Sequence, residues 1–196
     1  MNKRIPVTGI IAVILYFLSV GAFLISKTEL ALTVWELMTI VSGPVVLLVL
    51  LEISQRISTP ELYRRAMLAF MACTCALTGA AHIVNITVTR RLISEGVEVP
   101  LYFQIGQWPS VEMAVDYLAW GFFTGLAFIC LSVSTSSDDK AARRLKSVSL
   151  INGILCIAGF AGALFINENV WYLALMGYGL GLLILCILRL RLPRPT

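Results

Sequence analysis

The chain has 196 residues, 59% of them hydrophobic and only 13% charged, with a formal net charge of +4 and a mean hydropathy of +0.89. A soluble domain carries about 45–50% apolar and about 25% charged residues, so this composition excludes an ordinary water-soluble fold and points to an integral membrane protein. The basic residues border apolar runs, where anionic headgroups account for them, and a nucleic-acid partner is not expected.

A span needs about 20 apolar residues to cross a hydrocarbon core of about 30 Å. Six runs of that length occur, at 5–26, 33–53, 66–88, 109–131, 147–166 and 170–190. The expected fold class is all-α: a single membrane domain over 1–196, built as a six-transmembrane-helix bundle. Lys3 and Arg4 followed by an apolar run resemble a secretory leader, with Val20, Gly21 and Ala22 as a cleavage motif. The run exceeds the ordinary length of a leader's apolar region and is read as the first span.

In the second span, Thr33 and Glu36 fit a capping box and Trp35 an interfacial belt, while Gly43 and Pro44 fall mid-span, where proline kinks a helix. Thr59, Pro60 and Glu61 read as N-cap, first-turn proline and first-turn acid of the third helix. That helix carries Thr74, Thr78, Gly79, the single histidine His82, and Asn85. Positions 75, 78/79, 82 and 85/86 share one small, polar face.

Residues 89–108 form the long outer loop, charged at first and then aromatic, which reads as an interfacial connector with a lid as the alternative. The fourth span opens at Pro109 and carries Glu112, Asp116, Trp120, Gly121 and Gly125. Glu112 and Asp116, four residues apart, point the same way. Ser137, with Asp138 and Asp139, reads as the cap and first turn of the fifth helix, whose glycines and alanines predict close packing around Gly153, Gly159 and Gly162. The sixth begins at Trp171 and Tyr172, offers a second small face at Gly177 and Gly181, and stops at Pro193 and Pro195. Such glycine faces are the expected seam of a homodimer.

Charge placement predicts the orientation. With the N-terminus inside, twelve Lys and Arg residues fall on the cytoplasmic side and three, Lys27, Arg90 and Arg91, outside. That asymmetry predicts a multi-pass protein of the cell membrane with both termini cytoplasmic. The five cysteines all lie within spans without a CxxC and read as small apolar fillers.

Glu36, Glu112 and Glu168 open the three helices that run back toward the termini, and the helix macrodipole explains acids at such starts without invoking a repeat. It does not reach Asp116. An ionisable residue inside a span costs about 2.5–3.5 kcal/mol near its centre and is by default a functional hypothesis. Asp116 and His82 fall at similar depth on different helices, with Glu112, Asn85 and Glu36 nearby. The expected ligand-binding set is Asp116, Glu112, His82, Asn85, Glu36 and Trp120, the last offering a cation–π face. The expected function is binding or transport of a small cationic or amphipathic ligand, linked to protons through Asp116 and His82. Two other readings stand beside it: a lipid-acting intramembrane enzyme using carboxylates as acid, base or metal ligands, and an assembly subunit whose polar groups only join helices. No nucleophile elbow, phosphate loop, dinucleotide fingerprint or HExxH occurs, so no cofactor or resident metal is expected and the balance leans away from an enzyme.

Overall fold

The computed structural model describes residues 3–106, 108–133 and 140–191. It is 87% helical, without strands among the described residues, and has six helices long and apolar enough to cross a membrane. These are α1 (Arg4–Ser26), α2 (Glu29–Arg56), α3 (Glu61–Ser94), α4 (Val111–Ser132), α5 (Lys140–Phe165) and α6 (Glu168–Leu190). Each packs against its neighbours in sequence and α6 returns to α1, which closes an antiparallel ring. Close approaches set the registers. A Cβ on Gly9 of α1 would lie 2.7 Å from the Cys186 sulfur of α6, and one on Gly159 of α5 would lie 2.4 Å from the Ala174 backbone nitrogen of α6. Lipid gives helices no hydrophobic reason to associate, so such contacts at small residues carry the packing.

The glycine faces expected to join two copies are filled within this chain. Gly121 and Gly125 meet Phe160 and Ile157 of α5, and Gly177 and Gly181 meet Cys156 and Asn152. Large apolar side chains point outward instead, among them Leu18, Ile25, Leu30 and Phe165. The half of the bundle near the termini is filled by buried Leu50, Ile53, Met67, Met71, Phe128 and Leu185. All five cysteines are free.

Several helix ends differ from expectation. Thr28, not Thr33, caps α2, accepting from the Ala31 amide at 3.3 Å. The helix therefore starts before the expected capping box, and Glu36 lies about two turns inside it rather than in the first turn. The macrodipole does not explain a glutamate at that depth. Thr59 does not cap α3: the helix follows Pro60, and the Thr59 hydroxyl is buried without a partner. Glu61 holds Arg64 and Arg65 across its first turn. Pro44 is accommodated inside an unbroken α2. The Ser137 cap, Asp138, Asp139, Pro193 and Pro195 lie outside the described residues.

The main departure is in α3, which runs to Ser94 and takes in the first residues of the expected outer loop. It does so through a π-helical turn at Asn85–Thr89, one of three among the described residues; the others are Leu118–Phe123 in α4 and Met176–Leu180 in α6. π-turns add a residue to a helix and recur at functional positions. Beyond α3, Leu101–Phe103 form a short 3₁₀ turn with exposed side chains, packed by the start of α4.

Candidate functional site

Three helices bring acids and bases together in the half of the bundle away from the termini. On α3, Thr78, His82, Asn85 and Thr89 are buried along one face, as the spacing predicts; Thr74, rather than Cys75, is the buried residue one turn earlier. Glu36 of α2 is 1% exposed and its carboxylate is divided between partners on α3. Asn85 Nδ2 donates to Glu36 Oε1 at 2.5 Å, and Arg90 Nη2 meets Glu36 Oε2 at 2.5 Å. Arg90 Nη1 also donates to Thr33 Oγ1 at 2.8 Å and reaches Glu29 Oε2 at 3.4 Å.

Across α3 stands Asp116 of α4, its side chain 16% exposed. Thr78 Oγ1 donates to Asp116 Oδ1 at 3.1 Å. One turn along, Thr74 Oγ1 donates to the Ala119 carbonyl at 3.1 Å, in the π-turn of α4, and fixes the register of the two helices.

His82 lies between the two carboxylates. Its Nδ1 is 3.6 Å from Glu36 Oε1 and its Nε2 is 3.7 Å from Asp116 Oδ1. Both separations exceed a hydrogen bond. Both ring nitrogens are buried without a partner, although each faces an acid. The two acids attack opposite edges of the ring, so Glu36, His82 and Asp116 make a line, not a nest around one point. Among the described residues, no three His, Cys, Asp or Glu side chains are gathered to hold a metal ion.

Tyr16 of α1 and Tyr178 of α6 adjoin each other on the Asp116 side. They line a cavity of about 30 Å³ between α1, α2, α4 and α6, with Ser42, Val46 and Trp120 among its walls. A water needs about 10–15 Å³ of such space, so there is room for about two. The Trp120 Nε1 is buried there without a partner. The Trp120 ring packs on Tyr178 with centroids 4.9 Å apart. Tyr178 continues an aromatic series through Trp171 and Tyr117 to Trp108, with Tyr117 stacked on Trp171 at 4.0 Å.

Of the expected site residues, Glu36, His82, Asn85 and Asp116 are brought together. Trp120 borders the adjoining cavity. Glu112 is buried in the first turn of α4 beside Thr89, and its Oε2 is buried without a hydrogen-bond partner. Arg90, Tyr16 and Tyr178 lie outside the expected set; Thr78, expected only on a polar face, and Thr33, expected as a cap, bond Asp116 and Arg90. Arg90 had been placed outside, in the loop. In an ordinary helix it would leave the face of Asn85, but in the π-turn the Arg90 amide bonds the Asn85 carbonyl five residues back, which brings the guanidinium onto that face. No protein-family model, curated protein or solved structure matches the chain.

Proposed function

We propose that this chain is a multi-pass protein of the cell membrane that binds or carries a small cation, the proton foremost, at His82 between Glu36 and Asp116. The observation that carries the reading is the unmet pair of imidazole nitrogens, 3.6 and 3.7 Å from two carboxylates on different helices. Two carboxylates and the Arg90 guanidinium leave one net negative charge while the ring is neutral. One proton on His82, or another monovalent cation, cancels it. An uncompensated charge in a low-dielectric interior is costly, so the site favours uptake of one positive charge. Tyr16, Tyr178 and the small cavity supply hydroxyls and water space on the Asp116 side for relaying it. The cavity beside the site has room for about two waters, which suits a proton or a small amine better than a large amphipathic ligand. The excess of basic residues toward the terminal end supports an orientation with both termini in the cytoplasm. Lipids surround the apolar exterior. A second copy would meet this one through a face other than the filled glycines.

The test is proton flux into liposomes loaded with a pH-sensitive dye and driven by a valinomycin-set potassium potential, with methylammonium binding measured in parallel. Wild-type protein is expected to show flux or binding that falls at least about tenfold in His82→Gln and Asp116→Asn and persists in Lys146→Gln, whose side chain is exposed on α5. Activity unchanged by the two site substitutions, or no flux and no binding in the wild type, overturns the reading.

A second reading has its own observation. Arg90 and Asn85 already satisfy both oxygens of Glu36, which suits a group that locks α2 to α3. Under that reading the same substitutions lower the melting temperature of a protein with neither flux nor binding.

A further inference from the structure

We infer a second site, at the other end of the bundle: a groove between α5 and α6 that holds the headgroup of an anionic phospholipid. Its basis is a polarity gradient along one helix face. Lys140, Arg143, Arg144, Ser147 and Val148 follow each other at helical spacing, so they share one side of α5. Together with Ile184 and Leu188 of α6 they line an open groove of about 600 Å³. Three cations line its outer part, a hydroxyl lies one turn further along α5, and Val148, Ile184 and Leu188 supply an aliphatic wall. That order matches a phospholipid: phosphate, then glycerol, then acyl chain.

Lys140, Arg143 and Arg144 are exposed and have no acidic partner among the described residues. Elsewhere at the same end, Arg64 and Arg65 are held by Glu61, and Arg189 by Glu52. Arginine presents a planar fork that matches phosphate oxygens two at a time, and lysine adds a point charge. Basic residues near an anionic membrane surface each contribute about 1 kcal/mol of attraction, or about fivefold in affinity. A free anion would use the cations alone; the aliphatic wall below them is what selects a lipid. The groove is independent of the His82 line.

The experiment is native mass spectrometry of the full chain in detergent, titrated with short-chain phosphatidylglycerol, short-chain phosphatidylcholine or inorganic phosphate. Phosphatidylglycerol is expected to bind at least about tenfold more tightly than phosphatidylcholine. The substitutions Arg143→Gln and Arg144→Gln together should weaken it about 25-fold, and Lys140→Gln alone about fivefold. Lys146→Gln, exposed on α5 but not lining the groove, should leave it unchanged. The melting temperature in phosphatidylcholine shows that each variant is folded, and Lys140→Gln alone serves if the double variant is not. Equal binding of both lipids, binding unaffected by the groove substitutions, or phosphate binding as tight as phosphatidylglycerol would each overturn the inference; the last would make it a free-anion site.

Discussion

Among the described residues, two arginine–glutamate pairs lie largely buried, one in each half of the bundle, and they are built differently. Near the termini, Arg189 of α6 is 2% exposed. Its Nε donates to Glu52 Oε2 at 2.8 Å, and its Nη2 meets the other oxygen of the same carboxylate. Every strong position on that carboxylate goes to one guanidinium. In the other half, the Glu36 oxygens are divided between Arg90 and Asn85, and His82 approaches one of them without bonding it. Each carboxylate accepts two such bonds, but Glu52 takes both from one guanidinium, while Glu36 takes them from two residues and has the His82 imidazole 3.6 Å from one oxygen. The same two residue types therefore make a two-group lock in one place and, in the other, a three-group cluster that the proposed function reads as a responsive centre.

The largest effect expected from breaking this contrast is at the lock. Arg189→Met leaves the Glu52 carboxylate in an apolar setting without its cation, which costs about 3–5 kcal/mol when a buried pair loses one member. Unfolding in mixed detergent micelles should show that loss, and adding Glu52→Leu should restore most of it. A single-substitution loss below about 1 kcal/mol would show that the pair does not lock α2 to α6. Arg90→Met should cost less, about 1.5–3 kcal/mol, the value of a hydrogen bond to a charged group. Asn85 remains on Glu36, and the Arg90 side chain is already 15% exposed. If Arg90→Met proves the costlier of the two, the assignment of lock and responsive centre is reversed.

Much of this was legible in the sequence, for reasons that also show where legibility ends. Six long apolar runs predict six helices because span length is set by the bilayer and leaves few alternatives. The polar face of α3 through Thr78, His82 and Asn85 followed from helical spacing, and the shared depth of His82 and Asp116 followed from counting residues along spans. Glu36 was undervalued because its neighbourhood imitates a capping box, and only the true cap at Thr28 shows it to be interior. Arg90 reads as loop rather than helix in the sequence because a π-turn changes the period by one residue and leaves no compositional mark. Tyr16 and Tyr178 sit on apolar helices whose side toward the cavity is decided by ring closure between α1 and α6, which no local pattern encodes.

The smallest expected effect tests the responsive centre most sharply. Thr78 Oγ1 and His82 Nε2 both face Asp116 Oδ1, at 3.1 and 3.7 Å, so the hydroxyl holds the oxygen that the ring approaches. Thr78→Val keeps the shape and removes the donor. The stability loss should be about 1 kcal/mol, the net value of one hydrogen bond. The freed oxygen should then accept from the ring, since an unpaired carboxylate lone pair and an unpaired N–H are both unfavourable in a dry site. His82 is the only histidine in the chain, so its imidazole gives a single, assignable set of nitrogen signals. A downfield shift of the Nε2 proton in Thr78→Val, reversed in Thr78→Ser, would show that hydroxyl and ring compete for one acceptor. An unchanged signal would mean that Asp116 and His82 are neighbours without being coupled, and the proposed proton site would then rest on Glu36 alone.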